Sequence, residues 1–225
     1  MISLMRMATT AALAALLPLS APAAADDTVV AAAPTVLPIG VAVSSLPVAD
    51  ESRAGYVRTA FKHWNAGANP DDGCNTRQEV LISEAVGTPE LGPRCTITGG
   101  IWSSYYDETA VTGASGLDID HMVPLAEAWD SGASAWTAAR REAYANDLGQ
   151  PSSLVAVTAR SNRSKSDQDP AEWLPPAAGA LCRYGAEWTA TKLRWGLTVD
   201  ELEKDRLLDI AAGCSDQSVT FTPAL

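Results

Sequence analysis

The sequence predicts an α+β fold, and three features carry that expectation. Two short apolar runs, 117–123 and 153–159, have the length and composition of strands. Segments on either side of them repeat apolar residues at helical spacing. The order is helices, one β-hairpin with a long insert, then more helices, with no internal repeat.

Val57, Ala60, Phe61 and Trp64 fall three or four residues apart and predict an amphipathic helix over 52–65. Asn69-Pro70-Asp71-Asp72-Gly73 is a turn cluster. Thr76 and Glu79 have capping-box spacing and open a helix to about Val86. Residues 87–100 hold two prolines and four glycines and read as loop or short strand, and the aromatic stretch 101–106 reads as extended. Gly116 precedes strand 117–123, which Pro124 stops. Residues 125–146 read as helix broken at Ser131-Gly132. Strand 153–159 leads into a helix from about Arg160 that Asp169-Pro170 ends or kinks. Helices over 181–195 and 199–211 close the chain, the second capped by Thr198 and Glu201.

At 225 residues the chain is one domain or at most two. Hydrophobic residues make up 47%, but 40 are alanine, so large apolar side chains are fewer than that fraction implies. Seven tryptophans and only 19% charged residues exclude wholesale disorder. Lys+Arg at 16 against Asp+Glu at 27 gives a formal charge of −11, which excludes a globally basic nucleic-acid binder. Two histidines exclude most His-rich metal sites.

The N-terminus reads as a secretory signal peptide over 1–25. Arg6 supplies the positive region, Ala8 to Leu19 the apolar run, and Ala23-Ala24-Ala25 the small-residue cleavage pattern. The run is shorter than the roughly 20 residues a bilayer core requires, and no later segment is long and apolar enough to span. Cleavage removes one arginine and no acid, taking the charge from −11 to −12. Residues 26–48 carry only Asp26 and Asp27 as charges and read as a flexible tether, with the folded domain at 49–225. In an oxidising compartment the four cysteines should pair. Of three possible connectivities, Cys74–Cys95 and Cys182–Cys214 are favoured because each is local and brackets a different half. No C-x-x-C spacing indicates zinc.

Polar chemistry concentrates in Asp118-Ile119-Asp120-His121-Met122-Val123-Pro124 and in Arg160-Ser161-Asn162-Arg163-Ser164-Lys165-Ser166-Asp167. A carboxylate beside a histidine at a strand end offers a metal ligand next to a base. If the two strands pair, the following helix folds back and brings Asn162 toward Asp120. Two oxygen ligands plus waters suit a hard cation such as Mg²⁺. Strict alternation puts Asp120 and His121 on opposite sides of a strand, so the site needs a bulge or a strand end at His121. His63, the other histidine, reads as packed rather than catalytic.

The combined pattern resembles the secreted bacterial HNH (His-Me finger) endonuclease family, related to the nuclease domain of GmrSD-type modification-dependent restriction enzymes. Phe61-Lys62-His63-Trp64, Gly73-Cys74-Asn75-Thr76-Arg77, Asp118-Ile119-Asp120-His121 with Val123-Pro124-Leu125, Ala128-Trp129-Asp130-Ser131-Gly132-Ala133, Tyr144-Ala145-Asn146-Asp147, and Asn162 to Asp167 running into Ala171 to Pro176 all fit its pattern. A similar arrangement occurs in the HNH domain of CRISPR effector nucleases. The resemblance implies a ββα-metal core surrounded by additional helices. It implies hydrolysis of DNA phosphodiester bonds, with RNA the other possible substrate.

In the resemblance His121 matches the general base, Asp120 and Asn162 match the ligands of one Mg²⁺ or Mn²⁺ ion, and Arg77 is a candidate transition-state cation. The slot for a residue bracing the histidine holds Ser153, which reaches less far than the family's asparagine. Arg160, Arg163 and Lys165 are expected to contact flanking phosphates, in a secreted monomer with weak, salt-sensitive DNA binding.

Two other functions fit the composition. A secreted glycosidase would pair carboxylates such as Asp118 and Glu127 at the separations such enzymes need. A non-enzymatic cell-wall-binding module would use the disulfides and the tether. A serine hydrolase fits less well still, because Gly113-Ala114-Ser115-Gly116 is not the G-x-S-x-G elbow and no spare histidine is obvious, and a zincin lacks H-E-x-x-H.

Overall fold

The computed structural model describes residues 33–224; the expected signal peptide and the first residues of the expected tether lie outside them. In chain order the elements are β1 (Thr35–Pro38), α1 (Ile39–Ser45), α2 (Thr76–Ser83), β2 (Gly87–Gly92), β3 (Thr96–Ser104), β4 (Thr109–Thr112) and β5 (Leu117–His121). Then come α3 (Leu125–Asp130), α4 (Ala138–Ala145), β6 (Leu154–Thr158), α5 (Ala159–Lys165), α6 (Leu181–Trp195), α7 (Glu201–Gly213) and β7 (Ser218–Phe221). The α+β expectation holds, and both disulfides form as expected, Cys74–Cys95 and Cys182–Cys214. Each closes a loop that stabilises by about 3–4 kcal/mol in the chain-entropy account.

Residues 35–46 are not a tether. Ile39, Ala42 and Val43 share one face of α1, and with Leu46 they are buried in the main core. β1 pairs antiparallel with β7, so the first and last described elements close on each other. Low charge is compatible with a linker and with a buried strand and helix alike; here apolar spacing decides for burial.

The helix expected over 52–65 is also absent; only a 3-10 turn at Arg58–Ala60 forms. Gly55 (φ 77°) and Trp64 (φ 61°) take left-handed conformations that interrupt a right-handed helix. The aromatic periodicity instead anchors an irregular segment. Phe61 is fully buried, with ring centroids 6.4 Å from Tyr56, 6.4 Å from Trp129 and 6.0 Å from Tyr144. Two caps sit off their expected positions. Asn75 rather than Thr76 caps α2, in a reciprocal box with Gln78, and Asp200 rather than Thr198 caps α7.

The hairpin forms as expected, antiparallel, with Leu117 opposite Thr158 and His121 opposite Leu154. Every residue of β6 is buried because both faces of the hairpin are covered. Val155 and Val157 face the main core, which includes Tyr184 and Trp188 of α6. Leu117, Ile119, Leu154 and Ala156 face a second cluster with Val80, Leu81 and Trp102. Alternation along the strands assigns these two sets. α5 packs on the hairpin, so strand, strand and helix make one unit.

The insert between β5 and β6 is pinned through Asp147. Its buried carboxylate accepts from Arg194 (2.7 and 2.8 Å), Trp195 Nε1 (3.0 Å) and Ser153 Oγ (2.6 Å). A second polar anchor lies under α6. The ammonium of Lys192, wholly buried, shares its three hydrogens among four acceptors within reach: Glu127 (2.7 Å), Glu203 (2.9 Å), Ser131 (2.7 Å) and the Thr198 carbonyl (2.9 Å).

Glu51 extends that network toward solvent. Burial, then the adjacent Glu127, pushes its carboxyl up to about 8. The folded protein therefore keeps a proton that the unfolded chain releases near the ordinary value of 4.5. The resulting stabilisation is complete below about pH 4.5 and is lost as pH rises through about 8. Across that window the melting temperature of wild type should fall more steeply with pH than that of Glu51→Gln. Parallel curves for the two proteins would refute the assignment.

Candidate active site

Pro124 stops β5, leaving His121 as the last strand residue. Alternation still sends Asp120 and His121 to opposite faces, but at a strand end both reach one cleft of about 480 Å³. Its walls include Tyr56, Arg58, Asp120, His121, Asn162 and Arg163. The strand end required at His121 is thus present.

The imidazole of His121 is held on several sides. Its Nε2 lies 3.0 Å from the Ala145 carbonyl at the end of α4. A carbonyl only accepts, so Nε2 carries the proton and Nδ1 keeps its lone pair. The Tyr144 ring stacks at 6.4 Å, Trp64 lies tilted at 5.6 Å and His63 meets it edge-on at 6.2 Å. Tyr144 is itself fixed by a bond from its hydroxyl to the Val123 carbonyl. Burial pushes the His121 imidazole down, to about 3, so it is neutral at physiological pH. Ser153 is not the brace of this histidine. Its hydroxyl goes to Asp147, and the Ala145 carbonyl takes the bracing role. His63 is packed as expected, with Nδ1 2.8 Å from the Phe61 carbonyl.

Asp120 is also buried. One oxygen, Oδ2, accepts from Tyr106 (2.7 Å) and from Lys165 Nζ (2.6 Å). Burial pushes its carboxyl up, and the Lys165 ammonium opposes that shift. Oδ1 takes no protein donor among the described residues, on a side chain that lines the cleft.

Lys165 contradicts its expected role as a phosphate contact. Its side chain is wholly buried and its three hydrogens go to Asp120, the His121 carbonyl (3.0 Å) and the Met122 carbonyl (2.9 Å). Burial pushes its ammonium down, with Asp120 opposing. Of the other expected contacts, Arg163 lines the cleft, 3.4 Å from Asp118. Arg160 is exposed on α5 outside the cleft lining. Arg77 is remote: its guanidinium donates to the Leu117 carbonyl (3.1 Å), at the opposite end of β5 from His121.

Asn162 lies where expected, on α5 in the cleft wall. Its Nδ2 donates to Asp118 Oδ2 (3.2 Å), which leaves the amide oxygen as the acceptor turned elsewhere. Asp118 therefore orients Asn162, a role that follows from its sharing a strand face with Asp120 two residues on. Asp120 and Asn162 each keep a hard oxygen without a protein donor among the described residues, so the donor set fits a small divalent cation. A separate group of close carboxylates, Glu51, Glu127 and Asp130, lies against Lys192 and Arg53. The glycosidase pairing fails here, because Glu127 is buried against Lys192 and does not line the cleft.

Sequence reasoning missed Tyr106, Tyr144, Tyr56 and Arg58. Tyr144 lies in one of the matched stretches but, like Tyr106, shows no role in the sequence, since a buried tyrosine looks like any core aromatic until its hydroxyl is placed.

The chain matches a family model described as the C-terminal domain of GmrSD restriction endonucleases over residues 90–210. It is 40% identical over 160 residues to a protein of the fungus Arthroderma benhamiae described as an uncharacterized secreted protein, covering 71% of this chain and 76% of that one. This relative is fungal, so the expected bacterial origin of the family is not supported by it. No solved structure matches the chain.

Removing one partner of the buried Lys165–Asp120 pair strands the other charge. Lys165→Met should cost about 3–5 kcal/mol in denaturant unfolding, and adding Asp120→Asn should recover part of it. A single-variant loss under about 1 kcal/mol would show that the pair is dispensable for folding.

Proposed function

This chain belongs to the family of GmrSD restriction endonuclease C-terminal domains, and on that premise we propose that it is a secreted, divalent-metal-dependent endonuclease of the ββα-metal (HNH) type acting on DNA. The observation that carries the reading is the convergence of Asp120, His121 and Asn162 on one open cleft. Secretion is supported by two disulfides, by the name of the fungal relative and by the leader pattern at 1–25.

A phosphodiester resists attack by water because its oxygens repel an incoming lone pair. Asp120 and Asn162 would hold the cation, Mg²⁺ or Mn²⁺, which when bound supplies positive charge to the phosphate and the departing oxygen. The chain's own residues do the rest. His121 accepts the water's proton at Nδ1, the nitrogen left unprotonated by the bond from Nε2 to Ala145. The Tyr144 and Trp64 rings stop the imidazole from turning away. Lys165 and Tyr106 hold Asp120 through one oxygen so that the other stays presented to the cleft. Asp118 does the same for Asn162. Arg163 on the cleft wall, and Arg160 beyond it on α5, contact phosphates.

The formal charge of −11 keeps non-specific duplex affinity low and makes binding sensitive to salt. Such a protein favours turnover over retention of DNA.

Incubation of plasmid with Mg²⁺ or Mn²⁺ should give cleavage that EDTA abolishes and His121→Ala reduces by about a hundredfold or more. Cleavage that survives both treatments would falsify the reading. The pH profile offers a further check. Because burial lowers the imidazole to about 3, the acid limb of kcat set by His121 should lie well below the 6.5 of a free imidazole. A limb at 6.5 that vanishes in a His121 variant would contradict it.

A further inference from the structure

We propose that Arg58 is a catalytic residue that grips the scissile phosphate from the turn that lines the cleft, filling the role for which Arg77 is wrongly placed. The proposal rests on the nuclease reading above.

Arg58 opens the 3-10 turn Arg58–Ala60 and lines the same cleft as Asp120, His121 and Asn162. Its backbone is firmly held. The Arg58 carbonyl accepts from the Phe61 amide (3.1 Å), and Phe61 is fully buried in the core. Arg141 Nε ties the turn to α4 through the Ala60 carbonyl (3.2 Å). The side chain, in contrast, is exposed.

What sets Arg58 apart is that its side-chain partner is the neutral Tyr56 and not a carboxylate. Arg53 is spent on Asp130 and Asp167, Arg183 on Glu187, Arg194 on Asp147 and Lys165 on Asp120. Among the described residues no carboxylate forms an ion pair with Arg58. In a chain with 27 acids against 16 basic residues, an arginine left without a carboxylate at the cleft that holds His121, Asp120 and Asn162 points to an anion. A guanidinium presents paired N–H donors that match two phosphate oxygens. Arg58 and Arg163 come from different elements, the 3-10 turn and α5, and line the same cleft as Asp120 and Asn162, so a phosphate seated there receives charge from both. As His121 takes the proton from water, the new P–O bond forms and the ester P–O bond breaks, the departing oxygen taking a proton from solvent; negative charge accumulates on the non-bridging oxygens on the way. Arg58 neutralises that charge without moving a proton.

The test compares wild type, Arg58→Ala, Arg58→Lys and Arg206→Ala, the last an exposed arginine on α7 used as a charge control. Each is assayed for plasmid cleavage with Mg²⁺, and for binding of a duplex oligonucleotide in EDTA across salt concentrations. Arg58→Ala should lower kcat by about a hundredfold, with lysine recovering part of it. The salt slope should shrink by about 0.9, the value of one phosphate contact. Arg206→Ala should leave kcat unchanged, and melting temperatures should match throughout. Wild-type cleavage with Arg58→Ala equally active overturns this proposal alone. An inactive wild type overturns the nuclease reading, and this one with it. A loss of kcat equal in Arg206→Ala would trace the effect to net charge and also overturn it.

Discussion

The Lys165–Asp120 ion pair is the constraint on which the rest of the site depends. It joins the last turn of α5 to the last residues of β5, 45 positions apart in sequence. The same ammonium also satisfies the carbonyls of His121 and Met122. One buried cation therefore fixes the helix against the hairpin, sets the chain direction leaving the strand and orients the carboxylate. A buried charge of either sign alone would be costly, and the two are tolerable only together and with their hydrogen bonds complete. Tyr106 completes the set on the carboxylate side.

Around that pair the molecule holds the imidazole by a different means. His121 is fixed by a carbonyl and by the aromatic faces of Trp64 and Tyr144. The Ala145 carbonyl belongs to the long insert, and the insert is pinned by Asp147 to Arg194 and Trp195 at the end of α6. The orientation of the histidine is thus set by the main core rather than by a local neighbour. That explains how Ser153, too short to brace the ring, can occupy its position and serve the insert instead.

Charge is distributed with the same economy. Most arginines and lysines are bound to carboxylates or carbonyls that hold the fold, and Lys192 carries one whole polar cluster beneath α6. The cleft keeps Arg58 and Arg163 on its walls in an otherwise acidic protein.

The α+β class, the hairpin with its long insert, the helix over 181–195 and both disulfide pairings were legible in residue order, because each depends on local periodicity or nearness in the chain. So were Asp120, His121 and Asn162 as a group, since a strand end and a following helix bring them together by topology. What residue order could not decide was the duty of each cation. Arg77, Lys165, Arg163 and Arg58 look alike in a sequence, yet one is remote, one is buried and two line the cleft. The tether misread at 35–46 and the helix misread at 52–65 have the same origin. Whether an apolar spacing is used by a helix, a strand or a set of anchors depends on which distant surface it meets, and only the folded chain brings those surfaces into contact.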